Sequence, residues 1–131
     1  MSDSLALVMP LYDAVERGDN EAPLRAFAPD VVWDMRGLGL PDLARVYHGH
    51  EGLAEFWTAW LTSWKSLAFT RLKPVQLGDD LLVEVEQRNT GRASGAAVDF
   101  HYFQAWSVRD GKVRACCAAP TREEALRALG C

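Results

Sequence analysis

The spacing of apolar residues predicts helices first and strands afterwards. From Ser4 to Asp19, Leu5, Val8, Leu11, Tyr12 and Val15 recur at the intervals that place them on one helix face. Pro10 falls inside this pattern, so the helix either kinks there or begins at Pro10, where a missing N–H costs nothing. Gly18 ends it. Asp19 then caps a second short helix through Phe27, with Pro23 tolerated in its first turn. Pro29-Asp30 breaks that helix, and Val31 to Met35 reads as a strand from its β-branched and aromatic content. Residues 36–49 hold three glycines and one proline and read as a long loop, a length usually tied to function or motion.

From Glu51 to Trp64 the apolar positions are Leu53, Phe56, Trp57, Trp60, Leu61 and Trp64, the clearest amphipathic helix in the chain. Beyond it the period falls to two. Leu67 to Val75 and Leu81 to Asn89 read as strands, the second alternating through Leu82-Val83-Glu84-Val85-Glu86. Thr90 to Gly95 is a turn, and Val98 to Val108 is a long strand. Asp110-Gly111 is a hairpin signal leading into Val113 to Ala119. Thr121 with Glu124 forms a capping box for a terminal helix ending near Gly130. The order α-α-β-α-β-β-β-β-α predicts an α+β domain, with the helices packed on one face of a curved antiparallel sheet.

Composition narrows the function. A length of 131 residues fits a single domain spanning residues 1–131, and 49% hydrophobic with 24% charged residues excludes a disordered chain. The net charge of -4, with scattered basic residues, argues against nucleic acid or anionic membranes as partners. No apolar run is long enough to span a bilayer, and Met1-Ser2-Asp3-Ser4 lacks the basic start of a signal peptide. Cys116, Cys117 and Cys131 make a poor disulfide framework, so a reduced, cytoplasmic protein is expected. Five tryptophans, three tyrosines and five phenylalanines are a heavy aromatic investment, suited to a core or to a pocket for flat apolar ligands.

Several segments together resemble the SnoaL-like and ketosteroid-isomerase-like branch of the nuclear transport factor two-like superfamily. They are Tyr12 to Asp19, Phe27 to Trp33, Val46 to Gly52 with Phe56-Trp57, Trp106 to Val113, and Arg122 to Leu126. The resemblance covers roughly residues 4 to 129 and implies a cystatin-like cone: a curved sheet wrapped around three helices, with an internal pocket. It also implies a homodimer through the outer face of the sheet, for which Phe103 and Ala105 are the outward apolar candidates. Its members include isomerases, cyclases, dehydratases, epoxide hydrolases and silent binding modules, so fold alone does not assign a reaction.

Strand alternation selects the candidate site. In Val98 to Val108 the even positions, among them Phe100, Tyr102, Gln104 and Trp106, are turned to the interior. Rough alignment turns Cys116 and Ala118 the same way, and their small side chains leave room. Asp34 follows Trp33 at a strand end. A carboxylate among aromatic rings has its pKa raised and can act as a general base or acid. Alternation gives the other reading, in which Trp33 takes the interior and Asp34 faces solvent. Tyr12 lies on the inner helix face, either as a core residue or orienting a ligand carbonyl.

Against the isomerase pattern, the base position aligns with Met35, which takes no proton. The oxyanion tyrosine falls near Leu11, one residue from Tyr12, and the second oxyanion acid aligns with Gln104. A glutamine donates to an oxyanion more weakly than a neutral acid. His48 and His50 flank Gly49 and read as a turn into the next helix, since a zinc site needs a third ligand. The site expected is therefore Asp34 and Tyr12 as catalytic residues, with Trp33, Met35, Trp57, Phe100, Tyr102, Gln104, Cys116 and Ala118 binding the ligand. No metal and no cofactor are expected. Two functions stand side by side: a cofactor-free acid/base enzyme of isomerase, cyclase or lyase type acting on a hydrophobic carbonyl compound, and a non-catalytic module. The module would bind a small apolar molecule or serve as a dimeric interaction domain.

Overall fold

A computed structural model of the chain describes residues 4–19, 22–38 and 43–130. The expectations for Met1 to Asp3, for Cys131 and for part of the loop at 36–49 (residues 39–42) lie outside these described residues. Six strands form one sheet, and the last four of them make an antiparallel meander. The strands are β1 (Phe27–Asp34), β2 (Val46–His48), β3 (Trp64–Leu77), β4 (Asp80–Gly91), β5 (Ala97–Arg109) and β6 (Lys112–Ala119). The helices are α1 (Ser4–Glu16), α2 (Gly49–Thr62) and α3 (Arg122–Gly130).

The meander is β3 to β6, each strand antiparallel to the next. β1 then lies beside β6, and β2 pairs with the far side of β1, giving the order β2-β1-β6-β5-β4-β3. The β1–β6 pair is parallel, with Trp33 opposite Cys116 and Asp34 opposite Cys117. This departs from a wholly antiparallel sheet for a simple reason. No short turn joins β1 to β6, so no hairpin dictates their relative direction. Register shifts in β3 and between Ser107 and Val108 bend the strands, as bulges do, and help the open sheet to curve.

Local sequence explains most boundaries. Asp110 and Gly111 both hold positive φ, 53° and 75°, as a two-residue hairpin matching the strand twist requires. The Glu124 N–H donates to the Thr121 hydroxyl at 3.2 Å, so the expected cap starts α3. Pro10 is inside α1 rather than at its start, and the segment before Phe27 is a 3-10 helix, Ala22–Ala26. α2 stops at Thr62, before Trp64. The Thr62 and Ser63 hydroxyls donate back to the carbonyls of Thr58 and Ala59, and the Arg92 guanidinium donates to those of Thr62 and Trp64. Trp64 therefore leaves the helical stripe and opens β3.

The sheet has two covered faces. On its concave face α1 contributes Val8, Leu11 and Tyr12, and α2 contributes Leu53, Phe56 and Trp57, to the main core. α3 packs on the opposite face, where Ala125, Leu126 and Leu129 meet Leu82, Phe103, Ala105 and Ala119. Not all helices share one face, because alternate residues of β4 to β6 are apolar on both sides. Ala105 is buried beneath α3 and Phe103 is half-buried beside it, so this part of the outer face packs within the chain. No described helix is long and apolar enough to cross a membrane.

Candidate ligand-binding cavity

Between α1, α2 and the concave face lies a cavity of about 220 Å³. Rings make most of its wall: Trp33 from β1, Phe56, Trp57 and Trp60 from α2, Phe69 from β3, and Phe100, Tyr102 and Trp106 from β5. These rings pack edge to face. Phe27, behind the wall, lies 5.5 Å from Trp57 and 6.0 Å from Trp33, centroid to centroid. Such pairs add roughly 0.5–1.5 kcal/mol beyond the area they bury. The wall is therefore also the core.

Gly37 lets the chain close the cavity beside β6. A Cβ there would sit 2.3 Å from the Ala118 carbonyl oxygen, so this close approach requires glycine. Leu38 and Met35 line the same side.

Two chains of polar groups enter the cavity, and His101, held by Glu84 at 2.7 Å, also reaches its lining. The Trp106 indole N–H donates to the Tyr12 hydroxyl at 3.2 Å, and that hydroxyl donates to Gln104 Oε1 at 2.6 Å. The Tyr102 hydroxyl lies 2.6 Å from the side-chain amide of Gln87, which is 2.9 Å from that of Asn89. Burial pushes the Tyr12 hydroxyl well above the usual phenol range, with Cys116 and Tyr102 adding to the effect and the Trp106 hydrogen bond opposing it. Burial, then Cys116, raises Tyr102 likewise. Burial also raises the Cys116 thiol, helped by Cys117 and Asp34. All three groups are accordingly neutral at physiological pH, and the tyrosines act as hydrogen-bonding groups.

Of the expected site residues, Tyr12, Trp33, Met35, Trp57, Phe100, Tyr102 and Gln104 line the cavity together. Cys116 and Ala118 do turn to the concave face and are buried, but they do not reach the cavity. Cys116 sits between Trp33 and Trp106 in the sheet, and those larger side chains cover it. Asp34 is not a lining residue either. Trp33 takes the interior, and Asp34 turns to Arg36, which donates from Nε at 3.0 Å, from a terminal nitrogen at 2.8 Å and from its backbone N–H at 3.1 Å. The Arg36 side-chain hydrogen bond is the main cause that holds the Asp34 carboxyl below the usual range, against the opposing effect of burial. The raised pKa of a general base is not found.

Asp34 has a structural consequence instead. Its folded pKa is depressed, so its stabilisation is present above the unfolded value of about 3.9 and fades as pH falls through the folded value. Asp34→Asn is expected to lower stability by about 1–2 kcal/mol at pH 7. Arg36 is exposed, which favours the low end. Thermal melts of variant and parent should converge once the pH has fallen below the depressed folded value; a gap that persists there would mean that the carboxylate charge is not what matters.

Trp60, Phe56, Phe69, Trp106, Leu38 and Gln87 line the cavity without having been singled out as ligand contacts. For Trp60 the helical stripe was a sufficient signal. Gln87 had one too, since it falls on the inward set of β4 with Val83 and Val85. His50 Nε2 meets the Phe27 carbonyl at 2.8 Å, fastening α2 to β1. Among the described residues, Glu84, Glu86 and His101 are close enough to share a cation, but Glu84 already holds His101 and Glu86 holds Arg71.

The SnoaL-like domain family matches residues 8–116, most of the chain. The chain belongs to the SnoaL-like family. Solved structures agree on the fold. A candidate polyketide cyclase from Xanthomonas campestris pv. campestris is 19% identical, with 92% of each chain covered and a TM-score of 0.77. A nuclear transport factor two-like protein of unknown function from Burkholderia pseudomallei is 25% identical, with 97% of each chain covered and a TM-score of 0.76. TerC, co-crystallised with polyporic acid, is 22% identical over 99% of this chain and 100% of its own, with a TM-score of 0.75. No curated protein matches the sequence. The SnoaL-like chain is thus an α+β cone with a curved, unclosed sheet.

Proposed function

We propose that this SnoaL-like protein binds a small, flat, hydrophobic carbonyl compound in its aromatic cavity, oriented by Tyr12, Gln104 and Tyr102. The observation that carries this is a ring-lined cavity with neutral hydrogen-bonding groups in its wall. A volume of about 220 Å³ suits one or two fused rings better than a four-ring steroid; sites for drug-sized ligands run to about 300–1,000 Å³. The co-crystallisation of TerC with polyporic acid supports an organic ligand in a cone of this kind.

Between catalysis and binding, one feature favours binding. Among the described residues lining the cavity there is no carboxylate, and Asp34 is engaged by Arg36 outside it. Polarising a carbonyl by hydrogen bonds remains within the reach of this site, since donors aimed at an oxyanion stabilise it. A thermal-shift panel of one- and two-ring aromatic ketones and quinones tests the reading. A ligand at a hundred times its Kd adds about 2.7 kcal/mol, which for a domain of this length raises Tm on the order of 10 °C. No shift across the panel would overturn the proposal.

A further inference from the structure

The cavity opens where its lining is least buried. Trp33, Phe56, Trp57, Tyr102 and Trp106 are buried, whereas Trp60, Phe69 and Phe100 are half-buried and His101 and Pro120 are exposed. Trp60 comes from the last turn of α2 and Phe100 from β5, and their rings meet 5.8 Å apart, centroid to centroid. They close the gap between α2 and the sheet. Trp64 stands behind both, 5.6 Å from Trp60 and 5.8 Å from Phe100, without lining the cavity itself. A half-buried ring gains less from its contacts than a buried one, so these are the rings of the wall that part most readily.

The three rings are tied down from one side. α2 passes into β3 through Ser63 alone, and the end of a helix leaves carbonyls without helical partners. Arg92, just past β4 in the turn to β5, supplies the missing donors. Its Nε donates to the Thr62 carbonyl at 3.1 Å and a terminal nitrogen to that of Trp64 at 2.9 Å. Its backbone N–H donates to the Ser63 carbonyl at 3.4 Å. A cation is also favoured by the dipole at a helix C-terminus. Arg92 thus grips the chain between Trp60 and Trp64. The turn that carries it is fastened internally, from Gly91 N–H to the Ala96 carbonyl and from Gly95 N–H to the Gly91 carbonyl, both at 2.9 Å. Arg92 is exposed, and hydrogen bonds that compete with water are weak enough to open and close.

We propose that Trp60 and Phe100 form the entrance to the cavity, and that Arg92 is a positioning residue that latches it shut. The latch sets how fast a ligand passes rather than how tightly it is held. Arg92 does not line the cavity, so its loss leaves the bound ligand's contacts intact. The inference rests on the binding reading above and adds the route of entry and the residue that controls it.

Two measurements test it, one of them free of ligand. Three of the five tryptophans are buried, so acrylamide quenching of indole fluorescence reads mainly Trp60 and Trp64. Arg92→Ala should raise the quenching constant about twofold, and Arg92→Lys, which keeps the charge without the fork, should fall between variant and parent. In stopped-flow binding of 1-tetralone, a bicyclic aromatic ketone, Arg92→Ala should speed association and dissociation together. Each rate should rise about fivefold to tenfold while Kd changes less than about twofold. An exposed side chain is replaced, so all three proteins should fold with similar melting temperatures. Unchanged quenching would overturn the latch, and unchanged rates would place the entrance elsewhere and overturn it too. Faster dissociation with unaltered association would show that Arg92 only supports the bound state, which also ends the proposal. If 1-tetralone does not bind the parent, the binding reading loses its support and the quenching result alone decides the latch.

Discussion

Phe27→Ala is expected to destabilise the protein by about 3–5 kcal/mol, the usual range for emptying a buried aromatic site. Phe27 is 1% exposed and stands against three indoles, with Trp106 at 6.4 Å completing the set begun by Trp57 and Trp33. Two of those tryptophans come from the sheet and one from α2, so collapse around a missing ring would have to move both layers. Interiors this dense relax only in part, which keeps the cavity penalty high. Since small domains have about 5–15 kcal/mol in total, the variant should fold but melt on the order of 10–20 °C lower. Urea unfolding would measure it, with an unchanged slope showing that the denatured state is not the cause. A loss below about 1 kcal/mol would mean that the rings repack and that Phe27 is not their centre.

Where a side chain's direction follows from a repeat, the sequence was readable. Alternation in β5 placed Phe100, Tyr102, Gln104 and Trp106 on one face, and all four line the cavity. The α2 stripe placed Trp57 there as well. A repeat does not say how far a side chain extends beside its neighbours. Cys116 and Ala118 have the correct direction, yet Trp33, Gln104 and Trp106 on adjoining strands outreach them. Nor does it give a partner three-dimensional in origin. The role of Asp34 turns on Arg36, two residues on, whose short 3-10 turn brings the guanidinium back over the carboxylate.

The same limit explains the fold's departures. Three residues, Val46 to His48, form β2 only because β1 offers its free edge, so the segment carries no strand signal of its own. The apolar run through Leu82, Ala105 and Ala119 suits a subunit interface or an intrachain helix equally well in sequence, and in the structure α3 packs on it. Trp64 has the spacing of a helical residue but the partner, Gly91, of a strand residue. Tertiary context outweighs local pattern at each of these positions.

Gln104→Leu should have the second-largest effect, about 1–3 kcal/mol of stability, because it removes the acceptor of a buried hydroxyl. Leucine nearly preserves volume, so the loss reports the hydrogen bond rather than a cavity. Tyr12 retains the Trp106 donor but has no group of its own to donate to, and burial keeps its proton in place. Tyr12→Phe alone leaves both the Trp106 indole and Gln104 Oε1 short of a partner. In the double variant only the indole is orphaned, so the two losses should fall short of additivity by about 1 kcal/mol. Chemical denaturation of the four proteins closes the cycle, and strict additivity would show that the pair does not act as a unit. Affinity separates the site from its scaffold. Gln104→Leu removes a donor from the cavity and should weaken an aromatic ketone about tenfold. Asp34→Asn should leave the same ligand's affinity unchanged, since its carboxylate answers to Arg36 and not to the cavity.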